Sequence, residues 1–371
     1  MAYDKVVDSA VLDEGLKQIA DAIREKAGTT DALAFPQAMA DAIAAIQGGG
    51  ATIEPLTITE NGTYTAPDGV DGYSPVTVEV KGSGEEFVIT DFSYFCYKDA
   101  RLSLLDKIDT SKGTDFSGMF SYSTKNSVDY YTKNLDTSNG EKFIEMFAFS
   151  TAYNSQPPLF DTSKGITFYS MFYNCQRIQS IPLYDTSNGI RFDDMFYGCQ
   201  VLTTIPELNV SKGVSFDGTF NGCKALTTVP DLNTSNGEDF ETMFYNCTSL
   251  VAIPKLDLTK ARTVSYMFYN CSALANLYLY NIRKTIQIGS DTSWGHLLTV
   301  DSLVHTIKEL CTVTKSQTLT IGPANLEKIA GLYCRITDDT NEKKPMELCE
   351  STDEGAMTLS DYASEKNWLI Q

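Results

Sequence analysis

Few side chains in this sequence of 371 residues stand at spacings that support catalysis or metal binding. The two histidines, His296 and His305, are nine residues apart and are flanked by apolar residues. Neither fits a metal-site or catalytic-triad spacing, and the motifs H-E-x-x-H, G-x-S-x-G, G-x-x-x-x-G-K and C-x-x-C are all absent. Carboxylates are plentiful. A pair of catalytic carboxyl groups for glycoside hydrolysis remains an alternative, because such a pair is defined by a distance in the folded chain that the sequence does not give. The sequence predicts a protein that is not an enzyme and needs no cofactor.

Four carboxylates are candidate calcium ligands, because Ca²⁺ binds carboxylate oxygens. Asp193 and Asp194 are adjacent, and Asp161 and Asp185 each open a turn string. The two turn aspartates have a simpler role, since an aspartate there accepts hydrogen bonds from nearby backbone N–H groups. We therefore predict no metal site.

The residues best suited to binding a ligand are tyrosines at a regular interval. They are Tyr173, Tyr197, Tyr245 and Tyr269, with Asn221 at the one interrupted position, and three of them precede an asparagine, Asn174, Asn246 or Asn270. Tyrosine offers a rigid, amphipathic face at low entropic cost, and neighbouring amides add hydrogen bonds. This combination suits contact with sugars or protein loops. A ladder of rings that packs only on itself is the alternative, and for any single tyrosine we favour it.

These tyrosines belong to a repeat of about 24 residues. A Met-Phe pair begins at residues 119, 146, 171, 195, 243 and 267, and Thr219-Phe220 fills the remaining register. Cysteines follow at a strict interval of 24, at Cys175, Cys199, Cys223, Cys247 and Cys271. A turn string shares the interval, from DTSKG at residue 109 to DLTKA at residue 257. Seven repeats result, of which the first two are slightly longer.

Self-similarity at this period indicates a solenoid, because one unit cannot bury its apolar side chains without neighbours above and below. Leu202 and Ile205 are predicted to lie in a short strand that pairs with its counterpart in the next repeat, roughly 4.8 Å away. The proline that follows should stop the pairing. In the turn string, Asp or Asn should cap backbone N–H groups while the glycine takes a positive φ angle. Phe192, Met195 and Phe196 should fill the other side of the coil.

The consensus F-x-x-M-F-x-x-C-x-x-L-x-x-I-P-x-L-D-T-S-N-G resembles the BspA-like leucine-rich repeat family of bacterial surface proteins. The resemblance covers about residues 87–280. It implies a right-handed solenoid that binds something, and it implies no chemistry. Two segments depart from the pattern: residues 87–108 look like a half repeat that caps the stack, and the second repeat has AFSTAYNSQPP where its cysteine should be.

The first 86 residues form two further predicted parts. Apolar residues at helical spacing within 8–27 and 35–46 predict a helical hairpin in residues 1–50, and residues 51–86 predict a small β module and a linker. The hairpin buries too little to stand alone, so it either associates with another copy or a partner, or packs within its own chain. Both parts resemble N-terminal modules of tail and fibre-type structural proteins of bacteriophages and prophages that infect Gram-positive bacteria. That resemblance implies virion attachment or oligomerisation, with a trimer as one option.

After the repeats, residues 291–371 predict an alternating α/β cap. The segment NLYLYNIRKTIQIG before it predicts closing strands. A helix is predicted at 299–312 with Asp301 as its cap, then a strand in SQTLTIG, a helix in PANLEKIAGLY and a last helix or turn that ends in a strand. The predicted domains are therefore 1–50, 51–86, 87–290 and 291–371. The predicted fold class is mixed α/β with a leucine-rich-repeat solenoid.

Composition limits the partners and the compartment. The formal net charge is −19 and the isoelectric point is near 4.5, which argues against nucleic acid or an anionic membrane as a partner. The sequence contains no run of about 20 apolar residues that could span a membrane. Its first residues, MAYDKVVDSAVLDEGLKQIA, lack the pattern of a signal peptide, and the repeated cysteines are expected to be buried and reduced. We therefore expect synthesis in a reducing bacterial host cytoplasm.

The leading hypothesis is a non-catalytic, tail-associated structural protein of a bacteriophage or prophage, located in the virion. Residues 1–86 would bind other tail or baseplate proteins, the chain would form a homo-oligomer, and the solenoid would bind a glycan or protein receptor on the bacterial surface. Many copies on one particle would turn weak contacts into high avidity. A bacterial cell-surface adhesin built from the same repeats and a tail-associated enzyme that degrades glycans are the alternatives.

Overall fold

The computed structural model describes residues 62–64, 76–79, 88–99, 102, 105, 108–124, 132–153, 156–290, 294–341 and 343–371. Within these residues the chain has mixed α/β structure, with three α-helices and four small sheets. One hydrophobic core extends through them from Phe92 to Trp368. The mixed α/β class is therefore confirmed. The two helices predicted within residues 1–50 lie outside the described residues.

Each repeat lies on the next through backbone hydrogen bonds that run in both directions. In the repeat that begins at residue 168, four N–H groups at alternate positions donate to carbonyl oxygens 23 residues later. These bonds join Phe168 to Arg191 (3.0 Å), Ser170 to Asp193 (2.9 Å), Phe172 to Met195 (2.9 Å) and Asn174 to Tyr197 (2.6 Å). After the turn string the direction is reversed, since the Ile190 N–H donates back to the Ile166 carbonyl over 2.8 Å. Each repeat therefore donates to both of its neighbours. We call this arrangement the repeat stack.

Two residues in each repeat have a left-handed backbone, which turns alternate N–H groups toward the next repeat. Ser170 and Asn174 have φ angles of 53° and 54°, and Asn246 and Asn270 both have 59°. Each is the third residue of a four-residue turn, where a positive φ favours Gly or Asn. This backbone requirement explains the repeated asparagines without any ligand.

The glycine of the turn string has a different role from the predicted one. The φ angle of Gly189 is not in the left-handed region, so that prediction was wrong. A Cβ atom on Gly189 would lie 2.5 Å from Cζ of Phe192, closer than any side chain allows. The glycine is needed for space against the buried ring. The predicted cap is confirmed, since the Ser187 N–H donates to Oδ1 of Asp185 over 2.9 Å.

The predicted strand at Leu202 and Ile205 does not form, although both side chains are buried. Among the described repeats, only β4 (Ala252–Asp257), in the sixth of the seven, is long enough to pair in parallel with the next such segment, β5 (Asn276–Tyr280). In the preceding repeat that pairing is reduced to a single bridge between Thr228 and Ala252. Pro254 lies within β4 at the position equivalent to Pro206, and the register of the pair shifts between Ile253 and Leu256. The prediction that the proline stops the pairing is therefore wrong in this repeat.

Two ladders of phenylalanine rings fill the repeat stack. The first ladder is Phe92, Phe116, Phe143, Phe168, Phe192, Phe216 and Phe240, with successive centroids 5.4–6.0 Å apart. The second is Phe120, Phe147, Phe172, Phe196, Phe220, Phe244 and Phe268, with centroids 5.3–6.0 Å apart. The rings of each ladder are buried and nearly parallel. The prediction that Phe192, Met195 and Phe196 fill the coil is confirmed.

The five repeated cysteines form a third buried ladder. Their thiols are free, and each donates to the carbonyl of a phenylalanine in the preceding repeat over 2.9–3.1 Å. Burial raises the pKa of the Cys199 and Cys271 thiols to about 12. The prediction of buried, reduced cysteines is confirmed, and their S–H groups satisfy carbonyls inside the core.

The segment before the repeats joins the stack through a small antiparallel sheet. Its strands are β1 (Gly62–Tyr64), β2 (Val76–Glu79) and β3 (Val88–Ile89), in that order. Asp91, just after β3, bridges to Asp115 in the first full repeat. Two short 3₁₀ helices, Tyr97–Asp99 and Thr132–Asn134, lie near the start of the stack. The half repeat after residue 87 therefore packs as the first layer.

The residues after the stack form a C-terminal module. Its elements are β6 (Ile286–Gln287), α1 (Val300–Lys308), β7 (Gln317–Thr320), α2 (Pro323–Ile329), β8 (Tyr333–Ile336), β9 (Met346–Cys349), β10 (Met357–Thr358), α3 (Leu359–Glu365) and β11 (Trp368–Ile370). Strands β6, β7 and β11 form a parallel sheet, and β8, β9 and β10 an antiparallel one.

The predicted helices and strands of this module are confirmed, except for the cap of α1. Thr299 is the cap and accepts a bond from the Ser302 N–H, whereas Asp301 lies in the first turn. Strands β8, β9 and β10 were not predicted. None of the helices among the described residues has the length and apolar composition that crossing a bilayer requires.

Candidate binding surface

The structure brings the four predicted tyrosines together as two stacked pairs. The rings of Tyr173 and Tyr197 have centroids 4.7 Å apart, and those of Tyr245 and Tyr269 have centroids 4.9 Å apart. The rings lie partly exposed on one side of the stack, and Tyr269 is 40% exposed. Asn221 lies between the two pairs.

Three further rings extend this row toward the first repeat. Tyr97, Tyr122 and Phe149 make successive contacts with centroids 5.6 and 4.6 Å apart, and Phe149 lies 5.3 Å from Tyr173. The sequence reasoning missed them because Tyr122 and Phe149 stand one residue later in their repeats. We call the seven rings the aromatic stripe: Tyr97, Tyr122, Phe149, Tyr173, Tyr197, Tyr245 and Tyr269. The buried Trp294 contacts Tyr269 and ends the row.

The predicted asparagines lie beside the stripe at the left-handed positions. Nδ2 of Asn270 donates to Oδ1 of Asn246 over 2.8 Å, so these two amides bond to each other along the stack. The Asn174 side chain covers the backbone of Gly198. These contacts leave the amides at the rim of the stripe, where part of their hydrogen-bonding capacity faces outward.

Two partly buried aspartates lie close to the stripe, and we call Asp194 and Asp217 the acidic flank. Burial, reinforced by nearby Asp217 and Asp193, raises the pKa of Asp194 to about 6. Burial also raises the pKa of Asp217, although a bond from Oγ1 of Thr242 (2.9 Å) opposes the shift. Burial, then Tyr197 and Asp194, raise the pKa of the Tyr173 hydroxyl. The surface beside the tyrosines is therefore negative.

The four aspartates considered for calcium do not converge. Asp161 and Asp185 cap turns, and each accepts from a serine N–H over 2.9 Å. Asp193 is paired with Nε of Arg191 at 3.0 Å. Among the described residues, no three His, Cys, Asp or Glu side chains are grouped so that they could hold a metal ion.

The histidines do not form a catalytic group with each other. His305 lies between the rings of Tyr278 and Tyr280, at centroid distances of 5.1 and 4.8 Å, and its Nε2 contacts the Leu279 carbonyl at 3.0 Å. Sequence reasoning missed this aromatic cluster, because it forms across β5 and α1. These contacts are with rings and a carbonyl, which indicates a packing role.

A family model described as "Mycoplasma protein of unknown function, DUF285" matches residues 90–205 and 177–281. The two matches overlap and together extend over residues 90–281, more than half of the 371 residues. This is a repeat family related to the BspA-like repeat proteins, which confirms the resemblance at that level. Neither the search of curated proteins nor the search of solved structures found a match. The chain belongs to the DUF285 repeat family.

Proposed function

We propose that this protein is a non-catalytic, tail-associated structural protein of a bacteriophage or prophage that binds the host cell surface. In this proposal the repeat stack is a leucine-rich-repeat solenoid of the BspA-like type. The aromatic stripe is the contact surface, and a glycan or a protein on the bacterial surface is the receptor. Residues 1–86 attach the chain to other tail or baseplate proteins and join copies into a homo-oligomer in the virion.

The observation that carries this proposal is the exposure of the aromatic stripe. Tyr122 and Phe149 are 41% and 38% exposed, although their rings stack on each other. Two other ladders of rings already fill the core, so the stack does not need the stripe for burial. A contiguous apolar surface of this kind marks interaction sites in soluble proteins. A repeat also presents the same contact many times, which suits weak, multivalent binding.

The test is binding of fluorescent full-length protein to a panel of intact Gram-positive cells, with mammalian matrix proteins alongside. A variant with Tyr122→Ala, Phe149→Ala and Tyr173→Ala should lose at least tenfold in cell labelling, since each ring contributes about 0.5–1.5 kcal/mol. The matched control replaces the exposed Thr204 and Thr227 by alanine on a different face.

Circular dichroism of each variant checks that the stack remains folded. Equal labelling by the stripe variant and the wild type would exclude the stripe as the receptor site. Binding to matrix proteins alone would favour the bacterial surface adhesin.

A glycan-degrading tail enzyme is the second candidate, and Asp194 is the observation that favours it. Its pKa of about 6 is typical of a general acid, and Asp217 is a nearby second carboxylate. Turnover of purified cell-wall glycans that disappears in Asp194→Asn would support this candidate. Unchanged glycan chain length after incubation with the wild type would exclude it for those substrates.

A further inference from the structure

The one break in the aromatic stripe lies at Asn221. Successive rings on either side are 4.7 and 4.9 Å apart, so Tyr197 and Tyr245 are separated by two repeat steps, roughly 9.5 Å. Both rings and Asn221 lie partly exposed, and the Asn221 side chain is shorter than the tyrosines on either side. We call the space between Tyr197 and Tyr245 the Asn221 notch.

The repeat that carries the notch is locally depleted of bulky side chains. Gly218, Thr219, Asn221 and Gly222 replace larger or longer residues found in most other repeats. A Cβ atom on Gly222 would meet no side chain within 4 Å, only the backbone of Gly198 at 3.5 Å. Gly222 therefore adds no side chain beside the notch, and it is partly exposed.

The Asn221 amide supplies the polar group of the notch. The backbone of Asn221 bonds within the stack, but no hydrogen bond of its side chain to another described residue is found. An amide offers two donors and one acceptor. Two aromatic faces with one unpaired amide between them match the chemistry of a sugar ring, which has C–H groups on its faces and hydroxyls on its edge.

From this geometry we infer that the Asn221 notch is a subsite for one uncharged pyranose ring, held between Tyr197 and Tyr245. The inference rests on the proposed function and names the receptor class as a neutral glycan. A flat ring between two aromatic rings would need only about 7 Å, whereas a puckered, substituted sugar fills more of the space. The acidic flank of Asp194 and Asp217 excludes anionic sugars, because like charges repel.

The experiment is saturation-transfer NMR on full-length protein with the methyl glycosides of glucose, galactose, mannose and N-acetylglucosamine, and with glucuronic acid as the anionic probe. At least one neutral sugar should receive saturation, and glucuronic acid should not. Asn221→Tyr should weaken that binding roughly tenfold or more, because it fills the notch and completes the stripe. Asn221 has no left-handed φ angle, so tyrosine fits there as it does at Tyr197.

Two further variants separate the notch from the stripe as a whole. Asn221→Ala keeps the notch open and should weaken binding less than Asn221→Tyr. Thr204→Ala changes an exposed residue outside the stripe and should leave sugar binding unchanged. Equal sugar binding by Asn221→Tyr and the wild type would overturn the inference that the notch holds the sugar. The stripe would then still be the proposed receptor site. Absence of saturation transfer to all four neutral sugars would also overturn that inference, and cell labelling tests the proposed function separately.

Discussion

The repeat stack and the C-terminal module satisfy their buried backbone groups in different ways. In the stack, most backbone N–H groups that bond outside their own repeat donate to a carbonyl in the next repeat. Extended strands are nearly absent there. In the module, helices satisfy their backbone groups internally and strands satisfy theirs through pairing with other strands. The core of the stack repeats the same phenylalanine, methionine and cysteine positions. The core of the module is built from single residues such as Trp368, whose Nε1 donates to the Cys311 carbonyl over 2.8 Å.

The two regions therefore differ in whether a core position has structurally equivalent positions elsewhere in the chain. A core position of the stack has counterparts one repeat above and below, so its contribution should not depend on which repeat is changed. A core position of the module has no counterpart. Both tryptophans, Trp294 and Trp368, come after the repeats, so tryptophan fluorescence follows the module while far-UV circular dichroism also includes the stack.

The largest expected effect tests the equivalence of repeats. Phe172→Ala and Phe244→Ala should each lower the free energy of unfolding by about 3–5 kcal/mol, because each removes a fully buried ring from the same ladder. The two costs should agree within about 1 kcal/mol. Urea unfolding of each variant measures them, with Phe149→Ala as the partly exposed control of under about 1.5 kcal/mol. A large difference between Phe172→Ala and Phe244→Ala would show that the repeats are not energetically equivalent.

A rise to alkaline pH should change the stability contributions of one residue in the stack and one in the module in opposite directions. Burial raises the pKa of Cys199 from 9.0 to about 12, so its contribution to stability is complete below pH 9 and is lost as the pH rises toward 12. Burial lowers the pKa of Lys366 from 10.5 to about 8, even though its Nζ donates to the Leu310 carbonyl over 2.8 Å. Its contribution is therefore present above pH 10.5 and is lost as the pH falls through 8.

Lys366→Met and Cys199→Ala isolate these two contributions. Between about pH 7.5 and 10, the free energy of unfolding of the wild type relative to Lys366→Met should rise by on the order of 2 kcal/mol. Relative to Cys199→Ala it should fall over the same interval, by a smaller amount. Urea unfolding followed by tryptophan fluorescence and circular dichroism checks both. Differences that do not change with pH would contradict the assigned titrations.

The smallest expected effect distinguishes two kinds of aspartate within the stack. The pKa of Asp194 is raised from 3.8 to about 6, so the stability linked to its protonation is present below pH 3.8 and is lost as the pH rises through 6. Asp194→Asn should therefore stabilise the protein at pH 7 by up to about 1 kcal/mol, after allowance for solvent screening, and not at pH 4. Asparagine also tolerates the φ angle of 52° there.

The matched control is Asp185→Asn, at a turn cap where bonds from Ser187 lower the pKa of the carboxyl. That substitution should leave stability unchanged or reduce it at pH 7. Thermal melts at both pH values measure these shifts. A lower melting temperature for Asp194→Asn than for the wild type at pH 7 would reverse the assignment.

The repeat, its buried positions and the turn caps could be predicted from the sequence, because each depends on residues that recur at one interval. The lack of a strand at Leu202 and the backbone of Gly189 could not be predicted, since the same residues fit two backbones. At Gly189 the packed Phe192 ring leaves no space for a side chain, which only the folded chain shows. The stripe was predicted at four rings. Tyr122 and Phe149 stand one residue later in their repeats than the four tyrosines, so the regular interval does not reveal them. Their rings nevertheless contact the rest of the row in the folded chain.

The recurrence of the same hydrogen bonds at successive junctions between repeats has a consequence for how such a chain changes in length. Each unit offers its neighbours the same donors and acceptors, so joining any two units recreates the same junction. Loss or gain of one 24-residue segment by slippage in a gene would leave both ends of the stack with their original partners. The reach of the protein can thus vary in fixed steps of roughly 4.8 Å while its ends remain the same.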